Sequence, residues 1–165
     1  MIDFGQEVKV VATIPAHAHS GSASCVVASV GYVNMENYAK AAIVVTASSI
    51  TGAGTMQFRQ AKGTSASSQK ALSIDGYWTN AAALASASLK NDLYVYTAYA
   101  SGSSSQATGT QNGTTMIFPI DDSMLDVANG FNHIGIGCAA ANLEFGATIF
   151  LYNPRYASET PPTAL

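Results

Sequence analysis

A chain of 165 residues has the length of about one domain, and only 10% of its residues are charged, against about 25% in an ordinary soluble domain. The net charge is −3 and no run of Lys or Arg offers the positive surface that binds phosphate backbones, so we expect no nucleic-acid partner. No apolar stretch approaches the roughly 20 residues of a membrane span, and Asp3 and Glu7 stand where a secretion signal would be basic; we expect no membrane partner and synthesis in the cytoplasm.

Short apolar patterns with a period of two, bounded by Gly, Ser and Asn, recur along the chain and are typical of antiparallel strands. We predict eight strands, at residues 6–14, 24–30, 40–48, 54–61, 92–99, 114–120, 131–139 and 146–152. This number predicts an all-β fold, either a single-domain antiparallel β-sandwich or a jelly-roll-like barrel, with at most one or two short helices.

The segments between the predicted strands are polar or rich in small residues. Residues 34–40 suit a single helical turn, and residues 80–89 suit either a short helix capped by Asn80 or a strand of small residues. The low-complexity residues 100–113 predict a mobile loop.

The ends of the chain differ from its middle. Three prolines in residues 153–165 argue against both a helix and a central strand there. We therefore expect one domain over residues 1–152, with an N-terminal arm at about 1–7, and an extended tail over 153–165.

A histidine pair is the plainest candidate for chemistry. His17 and His19 would share one face of a strand, as paired metal ligands do in β-barrel metalloenzymes. A metal site needs three or four ligands, and the other candidates, Cys25, His133 and Cys138, would meet the pair only through long-range folding. The glutamate that follows such a pair in cupins is also missing. We interpret the pair as part of a polar connection between the first two strands and expect no metal or other cofactor.

Two further patterns resemble binding motifs in residue type but lack the context or the spacing that those motifs need. Residues 135–140, GIGCAA, fit a dinucleotide fingerprint, but hairpin spacing replaces the helix that the fingerprint needs, so we expect the glycines to serve close packing. Asp121, Asp122 and Asp126 lack the ligand spacing of a calcium loop and predict a capped turn. No serine, threonine or cysteine has a nucleophile context, so we expect a protein that is not an enzyme.

The adjacent aromatic residues Tyr77 and Trp78, the latter the only tryptophan, leave three interpretations open. A buried tryptophan would close one end of the sandwich. An exposed pair would instead stack on a sugar ring, as in a carbohydrate-binding module, or anchor a protein interface.

Three segments together resemble a known family. Residues 32–45 place tyrosines before an aliphatic strand, residues 117–139 place an acidic turn before Gly-Phe and a strand, and residues 147–165 end in Asn-Pro-Arg-Tyr and a proline-rich tail. In this order they resemble small head proteins that are encoded beside the major capsid gene of tailed bacteriophages. The resemblance implies a capsid decoration (cement) protein, which binds the outer surface of an HK97-type shell, commonly as a homotrimer.

The resemblance also implies the partners, which are the major capsid protein and further copies of the chain itself. The low charge favours assembly independently, because a free monomer relies on charges for solubility and for protecting its sheet edges. We expect the contacts in the arm, through Ile2 and Phe4, and in the segment that ends the chain, through Tyr152, Pro154, Arg155 and Tyr156. The alternatives are another phage structural component, such as a head fibre or tail protein, and the carbohydrate-binding module.

Overall fold

The fold is built from short antiparallel strands. The computed structural model describes residues 8–19, 31–50, 55–65, 68–80, 94–107, 113–139 and 143–155. The strands in these residues are β1 (Val8–His19), β2 (Val33–Asn34), β3 (Tyr38–Ile50), β4 (Thr55–Ala61), β5 (Gln69–Ala71), β6 (Ile74–Thr79), β7 (Val95–Ser103), β8 (Ser105–Ala107), β9 (Thr114–Asp121), β10 (His133–Ala139) and β11 (Leu143–Pro154). Two 3-10 helices, Asp122–Met124 and Val127–Asn129, join β9 to β10.

The strands form two sheets. The first has six strands in the order β1-β11-β3-β9-β6-β7, and the second has the order β2-β10-β4-β5, with β8 also paired to β4. The assigned strand pairs are antiparallel, and the two sheets pack as a sandwich. The predicted all-β fold is confirmed, and the sandwich is the form it takes. None of the helices in the described part of the chain has the length and apolar character to cross a bilayer.

The core lies between the sheets and follows from the alternation of the strands. Along β9 buried and partly exposed residues alternate without interruption, so Met116, Phe118 and Ile120 point inward. Phe118 meets Phe58 of β4, in the opposite sheet, with ring centroids 4.5 Å apart and ring planes 50° from parallel. Full burial of such a side chain contributes about 2–3 kcal/mol to stability, so this pair stabilises the packing of one sheet on the other.

Several predictions for the segments between strands need correction. Residues 34–40 are not helical: a single turn, closed by the hydrogen bond from the Tyr38 amide to the Met35 carbonyl (2.8 Å), leads directly into β3. The segment 100–107, predicted as a loop, continues β7 and forms β8. The backbone of Ser103 pairs with β6 and that of Ser105 pairs with β4, and composition alone does not reveal such pairing.

Asn80, predicted as a helix cap, instead bonds to a neighbouring strand. Its side-chain oxygen accepts a hydrogen bond from the Thr115 amide (2.7 Å), and its own amide donates to the Thr115 carbonyl (3.3 Å). The predicted helix or strand after it, at 81–89, and the predicted strand at 24–30 lie outside the described residues.

Candidate functional site

The described candidate metal ligands lie on strands of two different sheets. His17 and His19 lie on β1, at the edge of the six-stranded sheet, opposite Phe145 and Leu143 of β11. His133 and Cys138 lie on β10 in the other sheet, and Cys25 is outside the described residues. Within the part of the chain that the structure describes, no three His, Cys, Asp or Glu side chains come close enough to hold a metal ion.

His133 is a buried residue. Only 8% of its surface is exposed, and its Nδ1 lies 2.6 Å from the side-chain oxygen of Asn132. Burial lowers the pKa of His133 below its ordinary value, and the nearby carboxylate of Glu36 opposes that shift. Burial thus favours the neutral form of the imidazole, which packs as part of β10. Gly135 and Gly137 on the same strand are buried too, and residues 135–139 of the motif are strand, which agrees with the close packing predicted for these glycines.

The acidic segment forms the capped turn that the sequence predicts. Asp121 caps the first 3-10 helix by accepting hydrogen bonds from the amide (3.1 Å) and hydroxyl (2.9 Å) of Ser123. These bonds, the amide's first, hold the pKa of Asp121 below its ordinary value. Asp126 accepts from both Lys70 and Asn129, which lowers its pKa as well. The carboxylates of these two residues are thus used within the turn.

The three segments that carry the family resemblance meet at one corner of the sandwich. The Met35 amide donates to the Asn132 carbonyl (2.8 Å), and the Arg155 amide donates to the Asn37 carbonyl (3.0 Å). The Arg155 guanidinium also forms an ion pair with Asp122. A cavity of about 120 Å³ at this corner is lined by residues of all three segments. The three segments that carry the resemblance are therefore parts of one tertiary unit.

The predicted contact residues near the end of the chain belong in part to the folded domain. Tyr152 lies in β11 between Val8 and Lys40, and it lines an open cavity of about 350 Å³. Pro154, assigned by the sequence analysis to the tail, is the last residue of β11, and Arg155 follows it directly. The other three predicted contact residues, Ile2, Phe4 and Tyr156, lie outside the described residues.

Part of the outward side of the six-stranded sheet is apolar, a feature that was not predicted from the sequence. Residues flanking the buried positions of β3, β9 and β11 must point away from the core, because side chains alternate along a strand. We call this surface the outer sheet face and define it by its apolar members Val10, Ala42, Val44, Trp78, Tyr96, Ile117, Pro119 and Phe150.

The register places these residues in two rows across the sheet. One row runs from Val44 through Ile117 to Trp78 and Tyr96, and the other joins Val10, Phe150, Ala42 and Pro119. Val10 is 56% exposed, and none of the residues in either row is charged. The nearest ion pair of this face, Lys40 with Asp121 (3.6 Å), lies in the next row along the strands.

The aromatic end of the outer sheet face is held in place by local packing. Trp78 and Tyr96 are directly opposite on β6 and β7, with ring centroids 5.1 Å apart. A Cβ on Gly76 would lie 2.6 Å from the Tyr96 hydroxyl oxygen, so the absence of a side chain there lets the Tyr96 ring lie across β6. Trp78 remains 43% exposed and Tyr96 41% exposed.

Tyr77 and Trp78, which are adjacent in the sequence, therefore point to opposite faces of the sheet. Tyr77 packs against the core and stacks on Phe118 (5.6 Å between centroids), whereas Trp78 faces outward. Consecutive strand residues point to opposite faces, so Tyr77 and Trp78 do not form one exposed platform, and a buried Trp78 is also wrong. The sequence signal for an exposed aromatic site was the tyrosine spacing in β7 rather than the Tyr77–Trp78 pair.

β7 itself is unusual among the described strands. Residues 94–98 are exposed on both faces, including Tyr94 (42%) and Val95 (48%), and β7 ends the six-stranded sheet. At the opposite edge, β1 carries Lys9, Pro15 and two irregularities in register, which are devices that discourage further strand pairing. Nothing comparable is present in residues 94–98.

Comparisons with protein-family models, curated proteins and solved structures find no match to this chain.

Proposed function

We propose that this chain is a non-enzymatic structural protein of a phage virion, which decorates and stabilises the outer surface of an HK97-type capsid. The observation that carries the proposal is the outer sheet face, an uncharged apolar surface on a chain with few charges. Contiguous exposed apolar surface of this kind marks an interaction site. The resemblance of the three segments that meet at the Arg155–Asp122 corner supports the choice of partner.

The size of the outer sheet face suits a protein partner. Each row crosses four strands at about 4.8 Å spacing, and each row takes two residues at about 3.3 Å rise, so the two rows cover roughly 250 Å² of sheet. A standard protein interface buries about 800 Å² on each partner. The face therefore supplies about a third of such a contact, and the arm and tail would supply the remainder.

The mechanism would be thermodynamic. A shell offers many copies of the same binding site, so a modest contact repeated over the lattice gives tight attachment. If the chain binds the expanded shell and not its unexpanded or dissociated forms, binding stabilises the expanded state by mass action. This mechanism needs no chemical step.

The test is binding to shells assembled from the major capsid protein of the same genome. We expect the chain to co-sediment with expanded shells at saturable stoichiometry and to raise their disassembly temperature. Ile117→Lys, which places a charge in the centre of the outer sheet face, should weaken binding at least tenfold, since a buried unpaired charge costs more than the ~1.4 kcal/mol that tenfold represents. Ser68→Glu, at an exposed position beside β5 in the other sheet, is the matched control. Equal binding by Ile117→Lys would remove the outer sheet face from the proposal.

The carbohydrate-binding alternative has less support. Trp78 and Tyr96 are the exposed neighbours, and their ring planes are inclined by 52°, so they do not offer one flat surface to a sugar ring. Quenching of Trp78 fluorescence by glycans would favour that alternative over the capsid role. A head-fibre or tail position would instead be revealed by where the labelled chain lies on virions.

A further inference from the structure

We infer that two copies of this chain pair edge to edge through their β7 strands, antiparallel, with Tyr96 of each copy at the two-fold axis. The pairing segment is Tyr94 with the first four residues of β7, and all five residues are exposed; among the strands that the structure describes, β7 ends the six-stranded sheet. The occupant of this edge is thus a second copy of the chain, and the two sheets become continuous. This inference concerns self-association alone and holds whether or not the chain binds a capsid.

The hydrogen-bonding pattern of β6 determines which groups of β7 face the open edge. The Asn80 amide donates to Thr115 of β9, and in an antiparallel sheet the residues that face one neighbour alternate along the strand. Trp78, two residues before Asn80, therefore also turns its backbone groups to β9. Its partner on β7, Tyr96, is left with its amide and carbonyl directed away from β6, toward the open edge.

The same alternation gives the register between copies. Residues 94, 96 and 98 all direct their backbone groups outward, so the segment is self-complementary about Tyr96. Tyr96 then faces Tyr96 of the second copy, and Tyr94 faces Ala98, which gives about six backbone hydrogen bonds. Beyond Ala98 the register with β6 is interrupted before Ser103, so the regular pairing ends there.

Charge and chemistry favour a second copy over a charged partner. No residue of Tyr94–Ser103 is charged, so two identical edges meet without the repulsion that the net charge of −3 would otherwise cause. A two-fold contact uses the same patch on both copies, which a self-complementary strand satisfies. The homotrimer implied by the family resemblance would instead need two different patches in contact.

The exposed area predicts a weak, concentration-dependent pair. A fully exposed aromatic side chain presents roughly 200–250 Å², so the 41–43% exposure of Trp78, Tyr94 and Tyr96 amounts to about 300 Å² per copy. Pairing would bury at most about 600 Å² of this aromatic surface over two copies, because rings on a continuous sheet keep their outward sides exposed, with the backbone of residues 94–98 in addition. Specific interfaces begin at about 1,000 Å² in total, so the pair lies below or at the lower limit.

Sedimentation velocity of the full chain from low micromolar to submillimolar concentration tests the inference. We expect the mass to rise from the 17.0 kDa monomer toward twice that value. Tyr96→Lys should raise the dissociation constant about tenfold or more, because two lysines would then face each other at the axis. Val127→Lys, at an exposed position in the 3-10 helix between β9 and β10, should leave it unchanged.

A cysteine pair tests the register independently of Tyr96→Lys. Directly opposite residues that share hydrogen bonds are about 5.5 Å apart between Cα atoms, within the range of a disulfide, so Tyr96→Cys should cross-link two copies when oxidised with glutathione disulfide. Thr97→Cys faces residue 95 of the second copy and lies about 8 Å from its own counterpart, so it should not cross-link. The unsubstituted chain, with Cys25 and Cys138, provides the background.

Three results would overturn the inference: a monomer at every concentration, a trimer as the smallest assembly, or a dimer that Tyr96→Lys does not weaken and Tyr96→Cys does not cross-link. The Tyr96→Lys result counts only if its circular dichroism matches that of the unsubstituted chain. If that variant fails to fold, the two cysteine variants decide between the outcomes, since cross-linking by Thr97→Cys and not by Tyr96→Cys also contradicts the register.

Discussion

The indole of Trp78 lies 5.1 Å from the ring of Tyr96 across two paired strands, and both rings remain more than 40% exposed. Trp78 belongs to the row that crosses the outer sheet face, and Tyr96 belongs to the strand that ends the sheet. The two rings therefore join the surface proposed for the capsid to the edge proposed for a second copy.

This relationship makes the single tryptophan a reporter of assembly. Trp78 is partly exposed in one copy, so its fluorescence should be accessible to acrylamide at low concentration and protected as copies pair. Tyr96→Lys should keep the indole accessible at every concentration, because the pair no longer forms. Protection that rises with concentration equally in both proteins would contradict the placement of Trp78 beside the contact.

Gly76 should be intolerant of a side chain. A Cβ there would lie 2.4 Å from the Thr97 carbonyl oxygen, a backbone atom held in the β6–β7 pair, so we expect Gly76→Ala to reduce the free energy of unfolding by about 1–3 kcal/mol. A Cβ on Gly63 would have no atom within 4 Å, so Gly63→Ala should change the free energy of unfolding by no more than about 1 kcal/mol. Urea unfolding of both variants makes the comparison, and equal effects would contradict the close approach.

The sequence predicted the long strands well and the short ones poorly. β9 has an apolar run of the length typical of a strand and β10 alternates isoleucine with glycine, and both were predicted to within two residues at each end. β5 and β8, each of three polar or small residues, carry no such pattern, because their backbones pair with β4 while their side chains bury little. β6 was missed because its register with β7 is interrupted between Ile74 and Gly76, which breaks the period of two.

Neighbouring residues on β9 should separate stability from attachment. Phe118 is fully buried against Phe58, and Phe118→Ala should cost about 3–5 kcal/mol of unfolding free energy. Ile117 points to the outer sheet face and is only partly buried, so Ile117→Ala should cost less than about 1.5 kcal/mol. Urea unfolding with shell co-sedimentation should show weakened attachment for Ile117→Ala despite its near-native stability. Attachment equal to that of the unsubstituted chain would contradict this separation.

Stability should fall as the pH decreases through about 6.5. Burial lowers the pKa of His133 in the folded protein, while the unfolded chain takes up the proton near the ordinary value of 6.5. The unfolded state then binds more protons, so stability is retained above that pH and lost progressively below it. In His133→Gln, which keeps His17 and His19, the urea concentration at the midpoint of unfolding should change less between pH 7 and pH 5 than in the unsubstituted chain. If the midpoint of that variant depends on pH as strongly as that of the unsubstituted chain, other groups cause the loss of stability.

Two truncations should distinguish the tail from the end of the domain. Removing residues 156–165 leaves Arg155 with its bonds to Asp122 and Asn37, so we expect an unchanged melting temperature and weaker attachment to shells. Removing residues 153–165 also shortens β11 and deletes that corner contact, so the melting temperature should fall as well. Full attachment by the shorter truncation would exclude the tail from binding.

The candidate site was less accessible from the sequence than the fold. Val44, Ile117 and Trp78 come from three strands, and only their register places them in one row. The unbroken apolar run of Tyr94, Val95 and Tyr96 indicates a strand, but such a run is ordinarily a buried central strand. Its place at the end of the sheet depends on strand order, which a single sequence does not contain.

Electron microscopy of particles formed by co-expressing this chain with the major capsid protein of its genome tests the central claim most directly. The proposal predicts added density on the outer surface of expanded shells, at lattice-related positions, with the outer sheet face toward the shell. Ile117→Lys should leave the same shells bare. Shells that remain bare with the unsubstituted chain, or density confined to fibres or tails, would contradict the claim.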